Sequence, residues 1–187
     1  QTRTKELQES LEHQTATAEV LGVISRSKFE LEPVLQSVVD TAARLCRAEK
    51  AIIYRLRDGA YWYAAGHANV PEDTRIEQTT PIIAGPGTLI GRVALAKGAV
   101  QIEDAFSDLG YEKKDDAKIG GVRSMLGVPL LREGEPIGAL ALARTRVEPF
   151  AKREVELVTT FADQAAIAIE NVRLFDEVQT RTKELSQ

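Results

Sequence analysis

The chain has 187 residues, of which 43% are hydrophobic and 28% charged, and its formal net charge is -4. This globular composition excludes a disordered chain, and the balanced charge excludes a general attraction to nucleic acid or to anionic membranes. The single cysteine, Cys46, cannot form an internal disulfide, and no apolar run is long enough to span a bilayer. Together these features predict one cytoplasmic domain with a sizeable core.

Two helices are predicted at the start of the chain. Residues 1–27 contain no proline and repeat apolar residues at steps of three and four, which indicates a helix with one narrow apolar stripe. A second helix is predicted from about Pro33 to Arg47, because proline suits the first helical position and a broad apolar face follows it. Cys46, near its end, is interpreted as a small core residue.

The middle of the chain is rich in β-branched and aromatic residues, which predicts strands. One pair of strands flanks the turn Asp58–Gly59 and another flanks Gly134, and both patterns are typical of hairpins. Thr88 is a suitable N-cap for a short helix between the two hairpins. The predicted strands cover residues 51–57, 60–67, 76–83, 99–104 and the two segments beside 133–135.

The second half of the chain contains one long polar stretch and one long helix. Ala105–Gly121 is the longest candidate loop, and the sequence leaves open whether it is a solvated loop or a lid over a cavity. From Ala151 to Leu185 there is neither glycine nor proline, which predicts a single helix. Strands joined mainly by hairpins predict an α+β fold, in which an antiparallel sheet has the terminal helices gathered on one face.

The long C-terminal helix carries an unbroken heptad of apolar and small polar residues, and the N-terminal helix continues it. We interpret this stripe as the seam of a parallel homodimer, in which polar members fix the register. The alternative is a seam that closes within one chain, with the first and last helices packed together. The predicted seam residues are Leu7, Leu11, Leu21, Phe161, Gln164, Ala168, Asn171, Phe175 and Val178.

The peptide QTRTKEL occurs twice, beginning at Gln1 and again at Gln179, which is 178 residues later. The two copies overlay in the same heptad phase, so a helix leaving one domain would enter a following copy in register. We therefore expect a tandem array whose domains share connecting helices, and adjacent domains of the same polypeptide as partners.

Two longer segments resemble a known family. They are SMLGVPLLREGEPIGALAL at Ser124–Leu142 and EPFAKREVELVTTFADQAAIAIENVRLFDE at Glu148–Glu177. Both resemble the second half of a GAF domain, in particular the GAF modules of bacterial sensor histidine kinases and nucleotide cyclases, which often occur in tandem. The resemblance extends over about Leu31 to Asn171, and it departs from the family at Ala151, where the final helix usually begins with Ser or Thr.

The resemblance implies a GAF-like, PAS-like antiparallel sheet of about five to six strands. The terminal helices would be bundled on one face, and a small helix and loops would cover a ligand cavity on the other. The domains would be a signalling helix over 1–27, the GAF domain over 28–172 and a coiled-coil linker helix over 173–187. A PAS-type sensor is the alternative fold, disfavoured by the two-helix start and the continuous exit helix.

The ligand chemistries known for the family are not indicated by these residues. Fragments of a cyclic-nucleotide set at Lys28–Glu30 and Phe175–Glu177 lie on or beside terminal helices, away from the expected cavity. A bilin needs a cysteine near the pocket, and methionine sulfoxide reduction needs more than one cysteine. Haem needs a buried ligand such as His67, and a lone histidine in a strand is more often packed or at the surface. No cofactor or metal is therefore assigned.

Strand alternation places Tyr61, Tyr63, Ala65 and His67 on one face of the sheet. The predicted ligand pocket consists of Tyr63, His67, Ile102, Asp104, Phe106, Arg123 and Met125. No nucleophile motif or supported pair of catalytic carboxylates is found. The resemblance to the GAF family implies a sensory, regulatory module of a signal-transduction system, such as a two-component system, that binds a small ligand. The alternative is a ligand-free dimerisation spacer.

Overall fold

The computed structural model describes residues 30–68 and 80–185. The predicted N-terminal helix, with Leu7, Leu11 and Leu21 of the predicted seam, lies outside the described residues, as do residues 76–79 of the strand predicted at 76–83. The elements in chain order are α1 (Leu31–Leu45), β1 (Lys50–Arg57), β2 (Ala60–Ala68), α2 (Leu89–Ala96), β3 (Val100–Ile102), α3 (Lys114–Gly120), β4 (Ser124–Arg132), β5 (Glu135–Arg144) and α4 (Lys152–Leu185).

The strands form one five-stranded sheet in the order β2-β1-β5-β4-β3, and every neighbouring pair is antiparallel. Both predicted hairpins are confirmed. Their turns place Asp58 and Gly59 at φ 53° and 80°, and Glu133 and Gly134 at 52° and 80°. Two successive positive φ values are the signature of the tight turns whose twist matches that of paired strands, which explains a glycine at the second position.

Helices α1 and α4 cover one face of the sheet, as predicted for the terminal helices. Val38 and Val39 of α1 and Phe161 and Ala165 of α4 are completely buried there, together with Leu140 of β5. The apolar residues of α1 recur at steps of three and four, so burying that face determines how the helix lies on the sheet. This layer is the main core of the domain.

The opposite face carries α2, α3 and the loop between β3 and α3. The Thr88 hydroxyl accepts a hydrogen bond from the Gly91 N–H at 2.9 Å, which confirms Thr88 as the cap of α2. Helix α2 sits so close to β4 that a Cβ added at Gly127 would lie 2.6 Å from Val93 Cγ2. The polar stretch 105–121 is not wholly loop, because residues 114–120 form α3, which ends at Gly121 in a left-handed conformation with φ 67°.

A buried arginine joins β5 to both helices of the main core. The Arg144 side chain is 0% exposed and its guanidinium lies 4.0 Å from the centre of the Phe150 ring. One terminal nitrogen donates to the Cys46 carbonyl just after α1 at 2.7 Å, and it also donates to the Glu154 carboxylate in the first turn of α4. The other donates to the Glu148 carbonyl at 2.8 Å. Three separate segments therefore meet at one side chain.

The first prediction concerns this buried arginine. Arg144→Met keeps the length of the side chain but removes the charged donor of the Glu154 carboxylate and of three backbone carbonyls. We expect a loss of about 3 kcal/mol in the free energy of unfolding, as when one partner of a buried ion pair is removed. The matched control is Arg146→Met, whose ion pairs with Glu49 and Glu148 are partly exposed and should contribute about 1 kcal/mol or less. Urea unfolding followed by circular dichroism measures both, and equal losses would contradict the assignment.

Candidate ligand-binding site

A cavity of about 60 Å³ lies between the sheet and the layer formed by α2 and α3. Its floor is apolar and comes from three adjacent strands: Ile52 and Tyr54 on β1, Met125 on β4, and Ala141 and Ala143 on β5. These residues alternate along their strands, so they share the face opposite to α1 and α4. The sheet therefore separates the main core from the cavity.

The walls of the cavity come from the segments above the sheet. Helix α2 contributes Leu89 and Ile90, preceded by its cap Thr88, and α3 contributes Asp116 and Ala117. The remaining walls are formed by Ile82, Tyr111, Lys113 and Val122, and Lys50 adds a polar residue to the floor at the start of β1. A mostly apolar cavity with a few convergent polar groups is the usual form of a small-molecule site.

The loop that approaches the cavity is fastened by two bidentate ion pairs. Asp108 accepts from Arg92 of α2 at 3.0 and 2.7 Å, and Asp104 accepts from Arg123 at 2.8 and 2.7 Å. The Arg123 guanidinium also lies 4.3 Å from the centre of the Phe106 ring. The hydrogen bonds from Arg123 lower the pKa of Asp104 to about 2. This carboxylate therefore remains ionised over the whole physiological range.

The structure separates the predicted pocket residues into three groups. Met125 lines the cavity. Asp104, Phe106 and Arg123 form the loop anchor described above, beside the cavity rather than among the residues that line it. Ile102 is 1% exposed and packs in a small core with Leu89 and Tyr111. Of the seven predicted pocket residues, Met125 is therefore the one among the residues that line the cavity.

The predicted face of β2 is wrong beyond Tyr63. Tyr63 packs against the cluster of Ile52 and Tyr54 on the cavity side, but Ala65 belongs to the main core. The pairing of β1 with β2 shifts between Ile53 and Tyr54, where an extra residue in β2 forms a bulge. A bulge reverses the alternation of faces. His67 consequently lies on the helix side, with its Nδ1 atom 2.9 Å from Asp40 Oδ1 of α1.

The charged residues that line the cavity were not predicted from the sequence. Lys113 and Asp116 lie in the charged part of the stretch predicted to be a loop or a lid. Lys50 is the first residue of β1 and was not among the predicted pocket residues. One signal was available, because Lys113, Asp116 and Ala117 are spaced by three and by one, as residues on one side of a helix are. The run was too short to indicate a helix by periodicity.

The predicted seam on α4 is also corrected in its first half. Phe161 and Ala168 are 0% and 4% exposed, so they are buried within this chain and are not available to a partner, and Gln164 is buried as well. The exposed apolar residues of α4 form a neighbouring stripe. They are Ile167, Leu174, Val178 and Leu185, with the exposed Asn171 between the first two and the half-buried Phe175 beside them.

Two smaller expectations have clear outcomes. Cys46 is 0% exposed, and its burial raises the pKa of the thiol to about 12, in agreement with its interpretation as a core residue.

At the start of α4, Ala151 has no side chain with which to cap the helix. The Glu154 carboxylate accepts from the Ala151 N–H at 2.9 Å, which supplies one half of a capping box.

Within residues 30–68 and 80–185, no group of three His, Cys, Asp or Glu side chains is arranged to hold a metal ion. No helix in the same part of the chain combines the length and the apolar character that crossing a membrane requires.

A single antiparallel sheet with long helices on one face and a covered cavity on the other defines a class of α+β domain. Within that class the family is shown directly, because the model of the GAF domain matches residues 30–169. The chain belongs to the GAF domain family. A comparison with curated proteins found no match.

Solved structures from several organisms share the fold. The GAF domain of a phosphoenolpyruvate-protein phosphotransferase from Coxiella burnetii is 20% identical with a TM-score of 0.76, covering 90% of this chain and 96% of its own. Free methionine-R-sulfoxide reductase from Neisseria meningitidis, in complex with its substrate, is 16% identical with a TM-score of 0.71, covering 87% and 90%. The phycoerythrobilin-bound GAF domain of a cyanobacterial phytochrome is 18% identical with a TM-score of 0.70, covering 89% and 99%.

The second prediction concerns the pH dependence of the loop anchor. Because the folded pKa of Asp104 is lowered to about 2, its pairing with Arg123 stabilises the fold above the unfolded value, about 3.9, and the contribution is lost as the pH falls toward 2. Asp104→Asn should therefore be less stable than the parent protein at pH 6, and the difference should shrink below pH 4. Urea unfolding across this range measures it.

The control for this prediction is Asp115→Asn, which removes an exposed carboxylate from α3. It should leave the pH profile of the parent protein unchanged. An Asp104 carboxyl that titrates near pH 4 in carbon-detected NMR would contradict the proposed anchor.

Proposed function

We propose that this GAF domain is a non-catalytic sensory module of a cytoplasmic, multi-domain signalling protein. A small ligand binds in the cavity, and a conformational signal passes through α4 to adjacent domains of the polypeptide. The observation that carries the proposal is the position of Arg144, which directly follows the cavity-lining residues Ala141–Ala143 on β5. The same side chain donates to Glu154 in the first turn of α4.

The relay begins at the end of β5. A ligand that displaces this strand end displaces Arg144, and with it the first turn of α4 and the carbonyl of Cys46 after α1. Packed elements joined by a buried ion pair move together, since separating them leaves a buried charge unpaired. The signal can be no larger than the difference in ligand affinity between the two arrangements.

Helix α4 is long enough to carry the signal away from the domain. It has 34 residues, which corresponds to roughly 50 Å at 1.5 Å per residue. No described side chain from Asn171 to the end of the helix is buried. Its solvent-facing surface is stabilised by ion pairs one turn apart, such as Arg173 with Glu177.

The exposed stripe of α4 supports a parallel homodimer. Its steps of four and three place Asn171 and Val178 at a positions and Ile167 and Leu174 at d positions of a heptad. A β-branched residue at a with Leu at d favours two strands, and Asn at an a position fixes the register. The partner of this stripe is therefore a second copy of the chain.

Two of the similar solved structures support a ligand-binding role for the fold. One is described as bilin-bound and the other as a complex with its substrate. The competing function is a ligand-free spacer that only holds dimer helices at a set distance. The small volume of the cavity, about 60 Å³, favours it, because an engineered apolar cavity that binds benzene measures roughly 150 Å³.

The third prediction tests the dimer. Leu174→Glu puts a charge at a d position and should weaken dimerisation by about a hundredfold, whereas Leu95→Glu changes an exposed leucine of α2 that lies off the stripe. Sedimentation equilibrium of the whole chain should show twice the 20.5 kDa mass for the parent and for Leu95→Glu, and a monomer for Leu174→Glu at the same concentration. A parent that is monomeric at high concentration contradicts the proposal.

The fourth prediction tests the relay without a ligand. Ala141→Leu fills part of the cavity and should change hydrogen exchange in the first turn of α4, including the Val155 amide that donates to the Ala151 carbonyl. We expect the hydrogen-exchange rate there to change by about threefold or more, because filling the cavity should shift the core between two alternative packings and local stability changes with the packing. Ala60→Leu, in the β1–β2 hairpin away from the cavity, is the control. An unchanged hydrogen-exchange rate in the first turn of α4 would favour the ligand-free spacer.

A further inference from the structure

Two charged residues of the cavity wall have no partner in the described part of the chain. Lys113 and Asp116 both line the cavity, and within residues 30–68 and 80–185 neither side chain takes part in a hydrogen bond or an ion pair. Both residues are half-buried. A charge that is partly removed from water without gaining a partner is unfavourable, so the two side chains are available to a charged ligand. The third charged lining residue, Lys50, already has an interaction partner.

The two unpaired residues are neighbours of opposite charge. Lys113 immediately precedes α3, and Asp116 lies in the first turn of that helix. The Lys113 carbonyl accepts a hydrogen bond from the Ala117 N–H at 3.0 Å, so the helical turn already includes Lys113. Residues three apart on a helix lie on the same side, with Cβ atoms about 5–6 Å apart. One stretch of the wall therefore offers an ammonium group and a carboxylate within a single helical turn.

An apolar surface adjoins this charged pair. Ala117, directly after Asp116, lines the cavity and belongs to the same apolar cluster as Leu89 and Ala143. The half-buried Met125 continues this surface across the floor. The cavity is partly open to solvent, so its volume does not limit the length of a ligand. Charge pattern and apolar lining, rather than size, decide which ligands suit it.

A ligand that matches this wall carries both charges and a free apolar group. In an α-amino acid one carbon atom carries the ammonium group, the carboxylate and the side chain. Both charges then meet one turn of the wall while the side chain lies on the floor. An ω-amino acid has its alkyl chain between the charges and leaves no free apolar group. A fatty acid or an alkylamine pairs with one of the two residues and leaves the other charge unpaired.

We propose that the cavity binds an apolar α-amino acid. Its carboxylate lies against Lys113, its ammonium group against Asp116, and its side chain on Ile52 and Met125. This inference rests on the proposed function, because it names the class of ligand for the same cavity. Both charges belong to the α3 segment and part of the floor belongs to β5, so the ligand connects the layer above the sheet to the strand that ends at Arg144.

The experiment uses the one methionine of the chain as a reporter. Because Met125 lines the cavity, the whole chain isotopically labelled at its methionine methyl group gives a single NMR signal from the floor. At neutral pH and constant ionic strength, leucine should shift this signal and saturate. Isocaproate and isoamylamine, which each lack one charge of leucine, should bind about fivefold more weakly. The leucine isomer ε-aminocaproate should bind at least about tenfold more weakly, because it places no free alkyl group on the floor.

Adjacent residues provide matched variants and controls. Lys113→Met and Asp116→Asn should each weaken leucine binding about fivefold, as expected for partly exposed charge pairs. Lys114→Met and Asp115→Asn change neighbours that do not line the cavity and should leave binding unchanged. The double variant Lys113→Asp with Asp116→Lys keeps both charges and should bind leucine more tightly than either single reversal. The amide spectrum of each variant reports whether it keeps the fold.

The results separate this inference from the proposed function. Preference for leucine that responds to Lys113→Met and Asp116→Asn, but not to the two control variants, supports both. Binding of isocaproate, isoamylamine or ε-aminocaproate as tight as that of leucine overturns the α-amino acid assignment and leaves the sensory function standing. Equal effects of Lys114→Met and Asp115→Asn overturn the assignment of the charged pair. No shift with any probe overturns the ligand class, while the exchange response to Ala141→Leu still decides whether a relay exists.

Discussion

The architecture depends on the burial of one guanidinium. Removing a charge of this kind from water costs several kcal/mol unless partners surround it, and Arg144 finds them only where three segments converge. The Cys46 carbonyl ends α1, the Glu148 carbonyl belongs to the β5–α4 loop, and the Glu154 carboxylate opens α4. None of these partners is adjacent to Arg144 in the chain, so the charge is satisfied only when both long helices are docked on the sheet. The requirement favours one arrangement of the helix layer over others that would bury similar apolar area.

The two faces of the sheet are built differently as a consequence. The helix face is a continuous apolar core, in which Val38, Leu140 and Phe161 are completely buried. The cavity face has two smaller apolar clusters, and its covering loop is held by the ion pairs of Asp104 and Asp108. Ion pairs that are partly exposed contribute modest stability and respond to pH and salt. The face proposed to bind a ligand is thus the one whose cover is attached by the weaker and more adjustable interactions.

Much of this fold could be predicted from the sequence because its signals are local. The hairpin turns at Gly59 and Gly134, the cap at Thr88 and the long uninterrupted α4 each depend on residues close together in the chain. The predictions that failed did so for other reasons. The bulge near Ala64 that turned His67 to the helix side depends on pairing with β1, and the seven residues of α3 are too few for a periodic pattern. On α4 the heptad was visible, but its first half packs on the chain's own sheet, so burial and not periodicity decides which stripe remains exposed.

The position of Asn171 connects the corrected seam to the relay. Ala168 and Ile169 are still buried, while Asn171 and the residues after it are not, so the helix leaves the domain body at this point. An asparagine at an a position lowers the stability of a coiled coil while fixing its register. In the proposed dimer the exposed stripe begins at Ile167 and has Asn171 as its first a position. There it would be held in register and yet be less tightly packed than a seam of leucine and valine alone. In the proposed homodimer, rotation or tilt transmitted from the first turn of α4 would therefore meet the least resistance near Asn171.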